Sequence, residues 1–340
     1  MTKPAFIVTA AIGTLLTNCS SGSPAPATPL GAAQNQSYVG KHESASCPCL
    51  YVTSYDKDAV TVYPVGAKGN TAPIQYLYGK KTKLHHPYSI AIDSGGKMYV
   101  ANATKSSVTV YAGGATGDAA PKAVISGSNT GLALPEGIAL DPVNGDIYVA
   151  NVYGGSTGSG SITIYSPGSN GNVAPIGTIA GAATGLDAPV GLTLDEDGNI
   201  YVPNPANASI QVYAAGSVGN VAPMQTISGS QTQLADPYQV ALDSDANIYV
   251  INEGGISSTI TVYGAGSSGN IAPIRTIGGA NTRLYVSDGV ALDADGNTYA
   301  ANYNNAITIY AAGANGNVKP TGVVKGSRTD LWRPGEIAIR

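Results

Sequence analysis

The sequence predicts an all-β chain: a six-bladed β-propeller of four-stranded antiparallel blades over residues 50–340, its ring closed by the C-terminal strand. Three observations predict it. A Gly-Asn-x-x-Pro motif recurs six times, at Gly69/Asn70/Pro73, Gly117/Asp118/Pro121, Gly171/Asn172/Pro175, Gly219/Asn220/Pro223, Gly269/Asn270/Pro273 and Gly316/Asn317/Pro320. Successive prolines lie 48, 54, 48, 50 and 47 residues apart, a spacing that signals a repeat architecture. Four short apolar runs flank each copy. The chain also enters the pattern at its second run and leaves on a lone first run.

The unit at residues 200–247 shows the four runs. Strand b is Ile200–Pro203, strand c is Ser209–Tyr213 and strand d is Met224–Ser228. Strand a of the next sheet is Gln239–Asp243. The runs are rich in Val, Ile, Tyr and Thr and bounded by Gly, Asn, Asp or Pro, which is strand chemistry. Runs such as Ile248–Ile251 and Gly289–Leu292 are nearly apolar throughout, as in sheets covered on both faces. A blade between two other blades is such a sheet.

Twelve of the 21 tyrosines occupy two repeat positions. Tyr51, Tyr99, Tyr148, Tyr201, Tyr249 and Tyr299 open strand b; Tyr63, Tyr111, Tyr165, Tyr213, Tyr263 and Tyr310 close strand c. Rings packed between blades with wet hydroxyls are expected. Asp141, Asp195, Asp243 and Asp293 open a–b turns of the Asp-x-x-Gly-Asn kind, where Asp and Asn bond their own backbone and Gly supplies positive φ. The final run, Glu336–Arg340, pairs with the first, Leu50–Thr53, and seals the ring without a bare edge.

The string Pro-x-Gly-Ile-Ala-Leu-Asp at Pro135, running on to Asn151, and its counterpart from Asp288 to Asn302 resemble the NHL-repeat propellers. The resemblance covers residues 50–340, and the chain is also similar to gluconolactonase-like propellers. It implies a scaffold, a ligand-binding domain or a metal-dependent lyase.

Six units that need their neighbours to bury their faces make one domain. Charged residues are only 11% and the net charge is −4, with no basic stripe, which excludes duplex nucleic acid as a partner. Ahead of the repeats, residues 1–19 carry Lys3 and then the apolar run Ala5–Thr17, too short to span a bilayer. It reads as a signal peptide. Leu16-Thr17-Asn18-Cys19 resembles a bacterial lipobox, which implies acylation of Cys19, although Asn18 departs from the usual Gly or Ala. The residue after Cys19 is not Asp, which by the same resemblance fits outer-membrane sorting. A lipoprotein of the bacterial cell envelope is expected, with a secreted protein as the alternative. Residues 20–49 form a Ser/Pro/Ala-rich tether ending in Cys47-Pro48-Cys49. A strained disulfide, two thiols or an intermolecular link are all open there, as is half of a metal site.

In an up-and-down blade the a–b and c–d connections lie at one end and the b–c and d–a connections at the other. The first pair is nearly identical in every repeat. The second varies: b–c swells at Val152–Gly160 and Glu253–Ser258, and d–a changes at Lys80–His86, Tyr285–Ser287 and Trp332-Arg333. Variable loops on a rigid frame are where ligands bind. The ligand-face candidates are therefore His85, His86, Tyr88, Tyr238 and Trp332, with an unidentified protein, glycan or small molecule as partner and the membrane touched only through the lipid anchor.

The position after the d–a proline holds Tyr88, Glu136, Val190, Tyr238, Asp288 and Gly335, with Glu336 following. Asn102, Asn151, Asn204, Asn252 and Asn302 end strand b, with Ser54 in the first unit. Carboxylates with amide oxygens suit a hard cation such as Ca²⁺, and the resemblance to gluconolactonase-like enzymes implies a similar ligand mix. Glu136, Asp288 and Glu336 are the metal candidates. An Asn in five of six units also reads as a structural cap. No nucleophile motif is present. His42 precedes the first strand, and His85 and His86 share one loop. The expected function is a binding or scaffold propeller. The alternative is a metal-dependent lactonase-like hydrolase or lyase.

Overall fold

The computed structural model describes residues 48–340 apart from Ser156, Gly255 and Ile256. The expectations for Cys19, the tether, His42 and Cys47 fall outside the described residues. Six four-stranded antiparallel sheets form the ring. The first blade combines Pro334–Ile339 with Cys49–Ser54, Ala59–Pro64 and Gln75–Tyr78. Blades two to six follow in chain order, their inner strands being Pro87–Ile92, Pro135–Leu140, Thr193–Leu194, Pro237–Leu242 and Ser287–Leu292. Each inner strand packs on the next, and Pro334–Ile339 lies between those of blades two and six.

The closure is as the register requires: Leu50 faces Ile339 and Val52 faces Ile337. The first strand starts at Cys49, because Cys49 and Arg340 exchange both backbone hydrogen bonds. The second half of the Cys-Pro-Cys segment therefore belongs to the propeller. The b and c strands are buried on both faces in almost every blade. The core is thus six layers of apolar side chains between blades.

The recurring motif turns out to be an inter-blade latch. Its glycine bridges strand d in the preceding blade, as Gly219 does with Ile179 and Gly69 with Val324. The Asn or Asp beside it then accepts a backbone N–H from that blade's d–a loop: Ala183 to Asn220 at 2.8 Å, Gln231 to Asn270 at 2.7 Å, Arg328 to Asn70 at 2.7 Å. The last of these crosses the seam between the chain's two ends. A glycine after strand d makes room for the latch. At Gly229, with φ +121°, a Cβ would sit 2.5 Å from the Asn270 carboxamide carbon.

The c-strand tyrosines correct one expectation. Their rings are buried, but their hydroxyls are not wet. Tyr111 donates to the Thr82 carbonyl at 2.6 Å, Tyr213 to Thr184 at 2.6 Å and Tyr310 to Thr282 at 2.8 Å. Each ties the loop entering its own blade to strand c. A buried hydroxyl without a partner would be costly, so the loop carbonyl is brought to it. The Asp residues at a–b turns behave as turn makers: Asp195 and Asp293 each accept two backbone N–H groups within their turn.

Candidate functional site

The b–c/d–a end is built by three devices repeated around the ring. The first is the Asn that ends strand b. Asn102 Oδ1 accepts from the His85 N–H at 3.0 Å while its Nδ2 donates to Val100 O and Thr109 Oγ1. Asn151, Asn204, Asn252 and Asn302 hold Ala133, Asp187, Ala235 and Tyr285 in the same way. These five are structural caps. In the first blade the equivalent Ser54 Oγ is buried without a hydrogen bond among the described residues.

The second device is a left-handed residue at the end of each d–a loop: His86, Leu134, Ala188, Asp236, Val286 and Arg333, with φ from +42° to +54°. Such a φ is uncommon outside glycine and an outlier for a β-branched residue such as Val286. Five of these six precede a proline, which normally forces an extended conformation. The strain is held by hydrogen bonds at both ends. The His86 N–H donates to Asp58 at 2.6 Å and the Arg333 N–H to Asn305 at 2.9 Å. Outside the fourth blade, where Pro205 has no N–H to give, their carbonyls accept from the residue after strand b, as Asp236 O does from Glu253 N and Val286 O from Tyr303 N.

The third device is a β-bulge. The ladder skips Tyr88, Glu136, Tyr238 and Asp288, each the second residue of its inner strand, and slips at the matching place beside Gly335. A bulged residue is unpaired and its side chain is re-aimed. All five bulge positions line a cavity of about 290 Å³ at the ring axis, together with Tyr55, Glu253, Val286, Tyr303 and Arg333. The fourth blade, whose corresponding residue is Val190, contributes nothing to its wall.

The electrostatics of this cavity are unusual. Burial pushes the Glu136 carboxyl up to about 7. Asp288 is also pushed up to about 7, by burial first and then by the charges of Glu253 and Glu136, while Arg333 and a hydrogen bond from Tyr88 oppose the rise. Tyr238 hydrogen-bonds Glu253, and burial together with the surrounding carboxylates raises its phenol well above the usual range. Arg333 is the cavity's cation. Its guanidinium bonds Asp56 at 3.0 Å and lies 3.9 Å over the Tyr303 ring and 5.1 Å over Tyr55.

One residue deeper along the inner strands the channel is plugged. Gln239 Nε2 donates to Glu336 Oε1, and the Ile90 N–H also donates to that carboxylate. Burial holds the Glu336 carboxyl well above its usual range, and the residue is 7% exposed. Glycines share this layer because the strands nearly touch: a Cβ on Gly289 would come within 2.5 Å of the Gly335 carbonyl oxygen.

The sequence candidates are thus partly assembled and partly dispersed. Tyr88, Tyr238, Glu136 and Asp288 meet at the cavity. Glu336 does not join Glu136 and Asp288 as a ligand, since it lies in the plug bonded to Gln239. Among the described residues no group of three or more His, Cys, Asp or Glu is placed to hold a metal ion. His85 lines a neighbouring surface cavity with Lys57, Lys80 and Lys83. His86 stacks on Tyr55 at 4.5 Å and bonds Thr104. Trp332 is 45% exposed beneath the Lys57 ammonium, outside the axial cavity.

Tyr55, Glu253 and Tyr303 are cavity residues that sequence reasoning does not single out. All three occupy one repeat position, directly after the residue that ends strand b, where the other blades carry Ala103, Val152 and Pro205. Its variability beside a nearly constant neighbour is the signal that could have found them.

No family model matches the sequence and no curated relative matches it. Solved structures do match the fold. A protein of unknown function from Bacteroides caccae aligns with TM-score 0.61 at 12% identity, over 86% of this chain and 99% of its own. A chain of a nidogen/laminin complex aligns with TM-score 0.60 at 16% identity, over 86% and 98%. A protein designated a 6-phosphogluconolactonase from Bacteroides fragilis aligns with TM-score 0.57 at 15% identity, over 88% and 85%. At such identities the likeness concerns architecture, and the chain is a six-bladed β-propeller.

Proposed function

We propose that the protein is an exported binding module of NHL-repeat-like type, held at the bacterial cell envelope through Cys19, whose ligand enters the axial cavity at the b–c/d–a end. One observation carries this reading. Around an otherwise repetitive ring, the cavity is lined where the repeats differ, and those positions are aimed inward by bulges and strained turns. Stored backbone strain of this kind clusters at ligand sites. Convergent polar groups with shifted pKa values, such as Glu136 and Asp288, are also a mark of a ligand site.

The fold does not choose between binding and catalysis, since one architecture hosts both. The lactonase-like alternative needs several ligand groups around one ion, and Glu136, Asp288 and Glu336 are not so arranged among the described residues. Crystals of the full chain soaked with a library of small polar fragments test the binding reading. Fragments should accumulate in the axial cavity. Hits confined to the opposite end or the outer rim, with the axial cavity empty, would sink it. A Cys19→Ser variant that still fractionates with membranes would count against the anchor.

A further inference from the structure

The axial cavity has a charge imbalance that its own residues do not resolve. Glu136, Glu253 and Asp288 face it, against one guanidinium. That guanidinium bonds Asp56 through Nη1 and stacks on Tyr303 and Tyr55, while its buried Nε has no hydrogen-bond partner among the described residues. Counting Asp56, four carboxyl groups meet one cation. Glu253 and Asp288 have tyrosine hydroxyls as partners. Among the described residues, no hydrogen bond or ion pair reaches the Glu136 carboxylate.

From this we propose that the cavity accepts a small organic ammonium ion, set against Glu136 and Asp288 and beside the rings of Tyr88 and Tyr238. The inference rests on the axial cavity being the ligand site. An anion would be repelled by three carboxylates. A neutral ligand could hydrogen-bond them but would leave their charge unbalanced. A small metal ion needs several oxygens converging within about 2.6 Å, and the carboxyl groups are too dispersed for that. An alkylammonium has the missing charge on a body broad enough for a cavity of about 290 Å³. Tyrosine faces attract such ions, more strongly when water is excluded. The molecule itself supplies the precedent in Arg333, held by the same pairing of tyrosine faces with a carboxylate. The elevated carboxyl groups of Glu136 and Asp288 fit a site whose compensating cation comes from outside.

Isothermal titration of the full chain at pH 8.5 with tetramethylammonium and n-butylammonium tests this, with tert-butanol and n-butanol as neutral counterparts and glucose and CaCl₂ as other classes. At least one ammonium ion should bind tenfold or more tightly than its neutral counterpart. Glu136→Gln and Asp288→Asn should each weaken it at least fivefold while the variants keep their cooperative melting. Equal binding of the alcohol, or glucose binding that is lost in Tyr238→Ala, would keep the cavity as the site and overturn the cation. Ammonium binding unchanged in both carboxyl variants would overturn the inference and the axial site together. One equivalent of Ca²⁺ lost in Glu136→Gln would replace it with a metal site. Failure of both ammonium ions to bind would also overturn it.

Discussion

Replacing Glu136 by Gln should stabilise the protein at high pH and leave it unchanged at low pH. Burial raises this carboxyl from an ordinary 4.5 to about 7 in the folded chain. The groups facing it are Tyr55, Tyr88, Tyr238, Glu253, Asp288 and Arg333, and burial is what opposes its ionisation. The folded state therefore holds the proton more tightly than the unfolded state. The stability this contributes is complete below about pH 4.5 and is lost as pH rises through about 7. A tenfold difference in proton affinity between the two states is worth about 1.4 kcal/mol, so the rise from 4.5 to about 7 makes the full cost above pH 8 roughly 3 kcal/mol. A glutamine of the same shape carries no charge to desolvate. It should also relieve Asp288, whose own rise Glu136 promotes. With roughly 2 °C per kcal/mol for a domain of this size, Glu136→Gln should melt about 4–6 °C higher at pH 8.5. At pH 4.5 the two proteins should melt within about 1 °C of each other. Differential scanning calorimetry at the two pH values reads this directly. A variant no more stable at pH 8.5, or equally stabilised at both, would refute the argument that Glu136 is an uncompensated buried carboxylate.

The other predictions concern the frame. Asn220→Ala removes the acceptor of the Ala183 N–H and should cost about 1–2 kcal/mol in urea unfolding; a neutral result would deny the latch its role. Gly229→Ala forces a Cβ against Asn270 at a φ reserved for glycine. It should cost upwards of about 2 kcal/mol, and less once Asn270 is also changed to Gly. Deleting residues 334–340 removes the inner strand of the first blade and bares the Cys49–Ser54 edge. The product should lose cooperative unfolding and aggregate, and a truncated chain that melts like the intact one would contradict ring closure.

Much of the site's position is legible in the sequence because the propeller repeats. Comparing six copies separates what the frame needs from what it tolerates, so the b–c/d–a end and the position after each d–a proline stand out from the residues alone. Tyr88, Glu136, Tyr238 and Asp288 are found that way. Arg333 is visible only as part of a variable loop, because nothing in a residue's neighbours announces a left-handed turn ahead of proline. Glu336 is misplaced by one layer. In the chain it stands next to the correct position, but a bulge makes adjacent residues face different levels of the channel. His85, His86 and Trp332 sit in the right loops but do not line the axial cavity: His85 lines a neighbouring one, His86 stacks on Tyr55 and Trp332 lies under the Lys57 ammonium.

The sequence by itself determined the number of blades, the order of strands, the seam at which the ends meet and the face that varies. Those follow from local turn chemistry and from the burial of both sheet faces, which are written residue by residue in every repeat. Only the tertiary structure decided which variable residues meet. Tyr55, Glu253 and Arg333 are remote in the chain and converge because the ring brings five inner strands to one axis. Their shared charge imbalance belongs to that convergence, since no single repeat contains it.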